Sequence, residues 1–333
     1  MIQERNSDAP EPLTLTWPDG LQARIDPFGA SLLSLRAPGP AGYIDLILPT
    51  ESTRSFDPAY VGRLIGRYAN RLANSKFAVG GRVYNVLPND GPNHLHGGSA
   101  GLHSRDWTVL DVEDRGARRV VLRYFSPDGE GGYPGALEVT ATYELTPNEL
   151  SVTVDASSDR PTPVSFTVHP YFNLTGDPSS NVEDHQVAIN AARFLPIDAH
   201  GIPEGAPRQV AGTPFDLRQR TRIGDRLRAP EPQLQSARGF DHAFILDSDL
   251  PRDQPAAELT CPAGRIAMQL FTNQPALQFY TGQSLSPPWR AYQGLCLEPE
   301  QFPDAPNRPD FPGTILQAGD RFHFAAAYRF RSR

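Results

Sequence analysis

The 333-residue chain contains only two cysteines, Cys261 and Cys296, and two methionines. Two widely spaced thiols make neither a disulfide framework nor a zinc knuckle. No basic run and no basic–aromatic interleaving occurs, and the formal net charge is −7, so nucleic acid is not an expected partner. No stretch approaches the apolar length of a membrane span. Residues 1–8 are polar and lack an apolar signal core. These absences lead us to expect a reduced, cytoplasmic protein, without membrane contact, whose partner is a small neutral molecule. Helical periodicity is scarce too: residues 53–64 offer a helical turn or two, and no amphipathic helix of ordinary length is visible.

Proline (34) and glycine (28) are plentiful and cut the chain into short segments. With 39% hydrophobic residues, the chain can still bury a sizeable core. Alternation at period two dominates. Leu137, Val139, Ala141, Tyr143 and Leu145 share one face; after a short polar turn, Leu150, Val152, Val154 and Ala156 do the same. This pattern predicts a hairpin with one buried face. Further strands are expected at residues 120–125, 164–169, 266–271, 277–280, 295–298 and 322–330, and a proline-rich surface loop at 229–233. No linker, repeat or low-complexity tract divides the chain. The expectation is an all-β protein, one domain over residues 1–333 built from two packed antiparallel sheets.

Several segments set polar residues inside strand and turn contexts. In Gly294-Leu295-Cys296-Leu297-Glu298-Pro299-Glu300 an apolar run delivers a carboxylate and is expected to stop at proline, which cannot donate to a ladder. A partly desolvated Glu298 is a candidate general base, or else a salt-bridged strand end. In residues 164–169, Val164, Phe166 and Val168 share one face, while His169 shares the other, more polar one with Ser165 and Thr167. Arg71 can be read as a surface arginine, His96 as a turn residue beside two glycines, and Asp241 and His242 as turn residues. His94-Leu95-His96 points two rings to one face if it is a strand, and with Glu298 or His169 it could bind zinc, iron or manganese.

Six segments together resemble the aldose 1-epimerase (galactose mutarotase) family: residues 66–73 (GRYANRLA), 93–98 (NHLHGG), 169–174 (HPYFNL), 239–242 (GFDH), 277–282 (LQFYTG) and Leu297-Glu298. They occur in the family's order and cover nearly the whole chain. The resemblance implies a large antiparallel β-sandwich with a sugar in an open cleft, and no metal or organic cofactor. It implies Glu298 as general base and His169 as general acid. It also implies Asn70, Arg71, His96 and Asp241 as sugar-binding groups, and Gln278 and Phe279 as cleft lining, the phenyl ring offering an apolar face to the pyranose. His94 is left outside the implied site. The chemistry suits those residue types: a base takes the proton of the C1 hydroxyl, an imidazolium protonates the ring oxygen, and the open aldehyde recloses as the other anomer. Three other readings stay open: a glycoside hydrolase using Asp241 with Glu298, a non-catalytic sugar-binding β-sandwich, and an epimerase of hexose 6-phosphates. The last would need cations beyond Arg67 and Arg71.

Overall fold

Strand alternation, where it is strong, is realised almost residue for residue. Strands Leu137–Leu145 and Glu149–Ser158 pair antiparallel with Leu145 opposite Leu150. All nine residues of the expected inner face are buried. Each such large apolar side chain stabilises the fold by ~1.5–3 kcal/mol relative to leaving it in water. The computed structural model describes residues 11–52, 54, 58–113, 118–247, 251, 253–262 and 266–332. Residues 1–8, and positions 53 and 55–57 of the expected helical turns, lie outside these; the described remainder of 53–64 forms turns and the start of a short strand.

The hairpin lies in a nine-stranded antiparallel sheet. Its order is Thr108–Glu113, Arg119–Ser126, Leu137–Leu145, Glu149–Ser158, Arg321–Ser332, Ile266–Thr272, Ala257–Thr260, Gln186–Ile189 and Thr221–Arg222. The carboxy-terminal strand is thus inserted at the centre, between Glu149–Ser158 and Ile266–Thr272. A four-stranded sheet (Leu13–Thr16, Gln22–Asp26, Ser31–Gly39, Gly42–Asp45) and a five-stranded one complete the larger layers. One buried cluster draws on all three sheets, including Ile25 and Leu35, Val154 and Phe324, and Phe244 and Leu297. The architecture is therefore an antiparallel β-sandwich with three larger sheets, where two were expected.

Among the described residues the longest α-helix, Pro232–Ala237, has six residues, and none is long and apolar enough to cross a membrane. That helix begins inside the segment expected to be a loop, because Pro232 occupies its first turn, where the missing N–H is not needed.

The five-stranded sheet carries the site. Its order is Arg208–Gln209, Arg193–Phe194, Asp241–Ile245, Ala276–Tyr280 and Cys296–Glu300. The last strand does not stop at Pro299: it runs on to Glu300, with Pro299 opposite Leu277. It lies at the sheet edge, and an edge strand needs ladder donors on one side only, so proline is tolerated there. Asp241 and His242 are strand residues and not turn residues.

Candidate active site

Strand parity in this sheet decides which side chains reach the cleft. Along Ala276–Tyr280, Gln278 and Tyr280 line a cavity of about 350 Å³, while Leu277 and Phe279 enter the core cluster. Phe279 is fully buried against Phe240, ring centroids 4.9 Å apart, and against Phe244. The expected stacking of Phe279 on a sugar is therefore corrected: adjacent strand residues face opposite sides. Replacing Phe279 with Ala should cost about 3–5 kcal/mol of stability, as large-to-small core changes do, and leave the KM for sugar nearly unchanged. Urea unfolding beside initial rates tests this, and a raised KM at full stability would return the ring to the cleft.

The other seven expected residues converge. Asn70, Arg71, His96, His169, Asp241, Gln278 and Glu298 all line the same cavity, with Tyr60, Tyr171 and Tyr280 among their neighbours. Short paired strands, Arg71–Leu72 and His94–Leu95, hold the first part of the wall, Arg71 opposite Leu95. The strand ends at Leu95, and His96 turns into the left-handed region at φ +56°. That turn separates the two histidines. His94 Nδ1 bonds the Leu87 carbonyl at 2.7 Å and its ring packs on Tyr133, whereas His96 meets His169 edge-on at 5.4 Å. The two rings do not share a face. Gly97 completes the turn at φ +83°, where a Cβ would stand 2.1 Å from the Gly66 carbonyl oxygen.

Beside it, Thr167 pairs with Ile65 and brings His169 to the cavity. Ser165 and Thr167, expected on a polar face, are buried as well. His169 Nε2 lies 3.5 Å from Glu298 Oε2, and its Nδ1 lies 3.4 Å from Cys296 Sγ. Both partners are almost wholly buried. Burial pushes His169 down to about 4. Burial, with the charges of Glu300 and Asp241, pushes Glu298 well above the ordinary carboxylate range, against the pull of Arg71. Burial thus moves both groups toward their neutral forms.

Arg71 Nε donates to Asp90 Oδ2 at 2.7 Å, and its Nη1 stands 3.7 Å from Asp241 Oδ2. Asp241 Oδ1 accepts from Gln278 Nε2 at 2.6 Å. His96 Nδ1 accepts the backbone N–H of Asn70 at 3.2 Å, and burial drives the ring well below its ordinary pKa. The neutral ring therefore carries its proton on Nε2 and presents a donor to the cleft. His96, His169 and Glu298 each offer a ligand atom, all within 4.8 Å of one another. By spacing they could hold a metal ion, but a ring protonated on Nε2 is a donor there and not a ligand.

Sequence reasoning did not single out Glu300, a buried carboxylate that burial pushes up to about 8, or Tyr280. For both the signal is parity: each lies two residues from a residue that was identified, on the same strand. His242 is structural. Its Nδ1 accepts the Asp241 N–H, its Nε2 meets Gln233 Oε1, and its ring packs on Phe215. Arg67 is not in the cleft: its guanidinium donates to Ser126 and to the Gly135 carbonyl.

The family model described as aldose 1-epimerase matches residues 11–329. The chain is 37% identical over 331 residues to the aldose 1-epimerase of Escherichia coli (strain K12), covering 96% of this chain and 94% of that protein. It is 38% identical over 281 residues to the galactose mutarotase of Mus musculus, covering 81% and 79%. Among solved structures, an aldose epimerase homologue from C. elegans superposes with a TM-score of 0.88 at 28% identity, covering 97% of this chain and 99% of that one. The galactose 1-epimerase from Lactobacillus acidophilus NCFM gives 0.86 at 31%, covering 96% and 94%. Matched along nearly its full length in sequence and in fold, the chain belongs to the aldose 1-epimerase family.

Proposed function

We propose that Glu298 is the general base and His169 the general acid with which this isomerase interconverts the α and β anomers of a free aldose. The observation that carries the assignment is the buried carboxylate–imidazole pair, 3.5 Å apart, at the wall of a cleft lined by Arg71, His96 and Asp241. The step requires the pair in the form with His169 protonated and Glu298 ionised; the Glu298 carboxylate then takes the C1 hydroxyl proton. The C1–O5 bond breaks, its electron pair goes to O5, and His169 Nε2 protonates O5. Rotation about C1–C2 presents the other face of the aldehyde, and the same two transfers run backward. No proton, electron or water is consumed. Hydrogen bonds from Arg71 and His96 would steady the charge that grows on oxygen as the ring opens.

Among the described residues, Arg71 is the only lysine or arginine lining the cavity, beside Asp90 in its ion pair, Asp241 and Glu298. That balance favours an uncharged sugar over a hexose 6-phosphate, and an acid–base pair has no use in a module that only binds. One core cluster common to three sheets supports a single domain over residues 1–333. Two free, buried thiols suit a reducing, cytoplasmic compartment. The test is polarimetry of freshly dissolved α-anomers of galactose, glucose, xylose and arabinose. The protein should speed the approach to the equilibrium rotation with at least one of them; no acceleration with any would refute the reading.

Arg71 is assigned to hold the sugar more than to move protons. Its planar fork suits adjacent sugar oxygens, and a lysine cannot reproduce it. Arg71→Lys should therefore raise KM while lowering kcat less than substitution of Glu298 does. Initial rates over a range of sugar concentrations measure both; an unchanged KM with normal kcat would remove Arg71 from the binding set.

A further inference from the structure

Glu300 lies two residues beyond Glu298 on the same edge strand and is fully buried, yet the acid–base chemistry gives it nothing to do. Its Oε1 accepts a hydrogen bond from Asn70 Nδ2 at 2.9 Å, and its Oε2 has no hydrogen-bond partner among the described residues. Asn70 is held in the left-handed region at φ +63°. From there its backbone N–H reaches His96 Nδ1 at 3.2 Å, and its side-chain oxygen accepts the backbone N–H of Arg71 at 2.9 Å. Asn70 thus contacts the His96 ring and the Arg71 backbone, and Glu300 holds its amide nitrogen.

We propose that Glu300 is a positioning residue, which by holding the Asn70 amide sets His96 and Arg71 at the spacing at which they grip the sugar. The inference rests on the reading that those two residues bind sugar. The charged and titratable groups around Glu300 are Glu298 on its own strand, Asp241 in the same sheet, and Arg71 and Tyr68 from the segment that carries Asn70. Burial pushes the carboxyl up to about 8, toward its neutral form, with the Asn70 bond opposing. Glutamine is therefore a close mimic, with the same shape, the same acceptor and no charge.

The experiment measures KM and kcat by initial-rate polarimetry for Glu300→Ala, Glu300→Gln, Asn70→Ala and the double variant Glu300→Ala/Asn70→Ala. Glu300→Ala should raise KM roughly tenfold, within what one hydrogen bond can carry, with a smaller effect on kcat. Glu300→Gln should stay within about twofold of the parent, since it restores the acceptor that the bond requires. The double variant should be no worse than Asn70→Ala, because both changes cut the same tie. An unchanged KM in Glu300→Ala, a Glu300→Gln as impaired as the alanine variant, or additive losses in the double variant would each overturn the proposal. If Glu300→Ala does not fold, Glu300→Met fills the site without the acceptor and the same cycle is read with it. A normal KM in Arg71→Lys instead strikes at the sugar-binding reading, so the two failures are distinguishable.

Discussion

Replacing Glu298 with Gln should lower kcat by at least ~10²–10⁴-fold, the usual contribution of one general base, with far less effect on KM. The amide keeps the shape and can still touch the sugar, but it cannot take the C1 hydroxyl proton. The loss should fall on kcat and kcat/KM alike, as for an interaction made only in the transition state. Burial has made this carboxyl a stronger base than an exposed one, so the substitution removes a tuned group. The measurement is mutarotation of one fresh anomer at saturating sugar, with spontaneous mutarotation subtracted. A kcat within a few-fold of the parent would move the base elsewhere, Asp241 being an alternative carboxylate in the cavity lining.

Glu298 was legible because an apolar run ended in a lone acid, and burial of that run in a sheet follows from composition alone. The fate of the strand beyond it was not. Proline reads as a stop, and only the position of Cys296–Glu300 at a sheet edge lets the ladder continue. Glu300 was hidden by that misplaced boundary. Phe279 shows the opposite fault. Gln278 and Phe279 are neighbours in a strand and cannot both face a cleft, so once Gln278 is assigned there, parity alone selects Tyr280. The sequence held the signal, and the resemblance between motifs obscured it.

His96 marks a real limit. Whether His94 and His96 share a face depends on one backbone dihedral, and φ +56° at a histidine is not written in its residue type. The nine-residue hairpin strand with five alternating apolar positions is the other extreme: a slip of one residue would expose all five, so its register is strongly fixed. Part of the cleft is assembled from the opposite kind of element. Two-residue strands at Leu64–Ile65, Arg71–Leu72, His94–Leu95 and Thr167–Val168 carry or adjoin Asn70, Arg71, His96 and His169, beside the five-stranded sheet that supplies Asp241, Gln278 and Glu298. Such short pieces have no periodicity to read, and only long-range pairing brings them together.

His169→Asn should also lower kcat by ~10²–10⁴-fold, and the pH profile should say why. In the parent, burial lowers His169 to about 4 and raises Glu298, so between the two values the pair carries one proton. The active arrangement needs that single proton: a second one, bound as pH falls toward about 4, fills the base, and loss of the first, as pH rises through the raised Glu298 value, empties the acid. The parent kcat/KM should therefore be bell-shaped, with its alkaline limb well above the ordinary carboxylate range, and the two limbs belong to the pair and not to either residue. Asparagine cannot donate a labile proton, so the variant's residual activity should lack the alkaline limb and rise or level off with pH as the remaining carboxylate ionises. In the proposed reaction the two groups move protons on one sugar as a unit, so the Glu298→Gln/His169→Asn double variant should lose much less than the product of the single losses. Multiplicative losses, or a parent profile flat from acid to alkaline pH, would sever the pair and leave the proton for the ring oxygen without a donor.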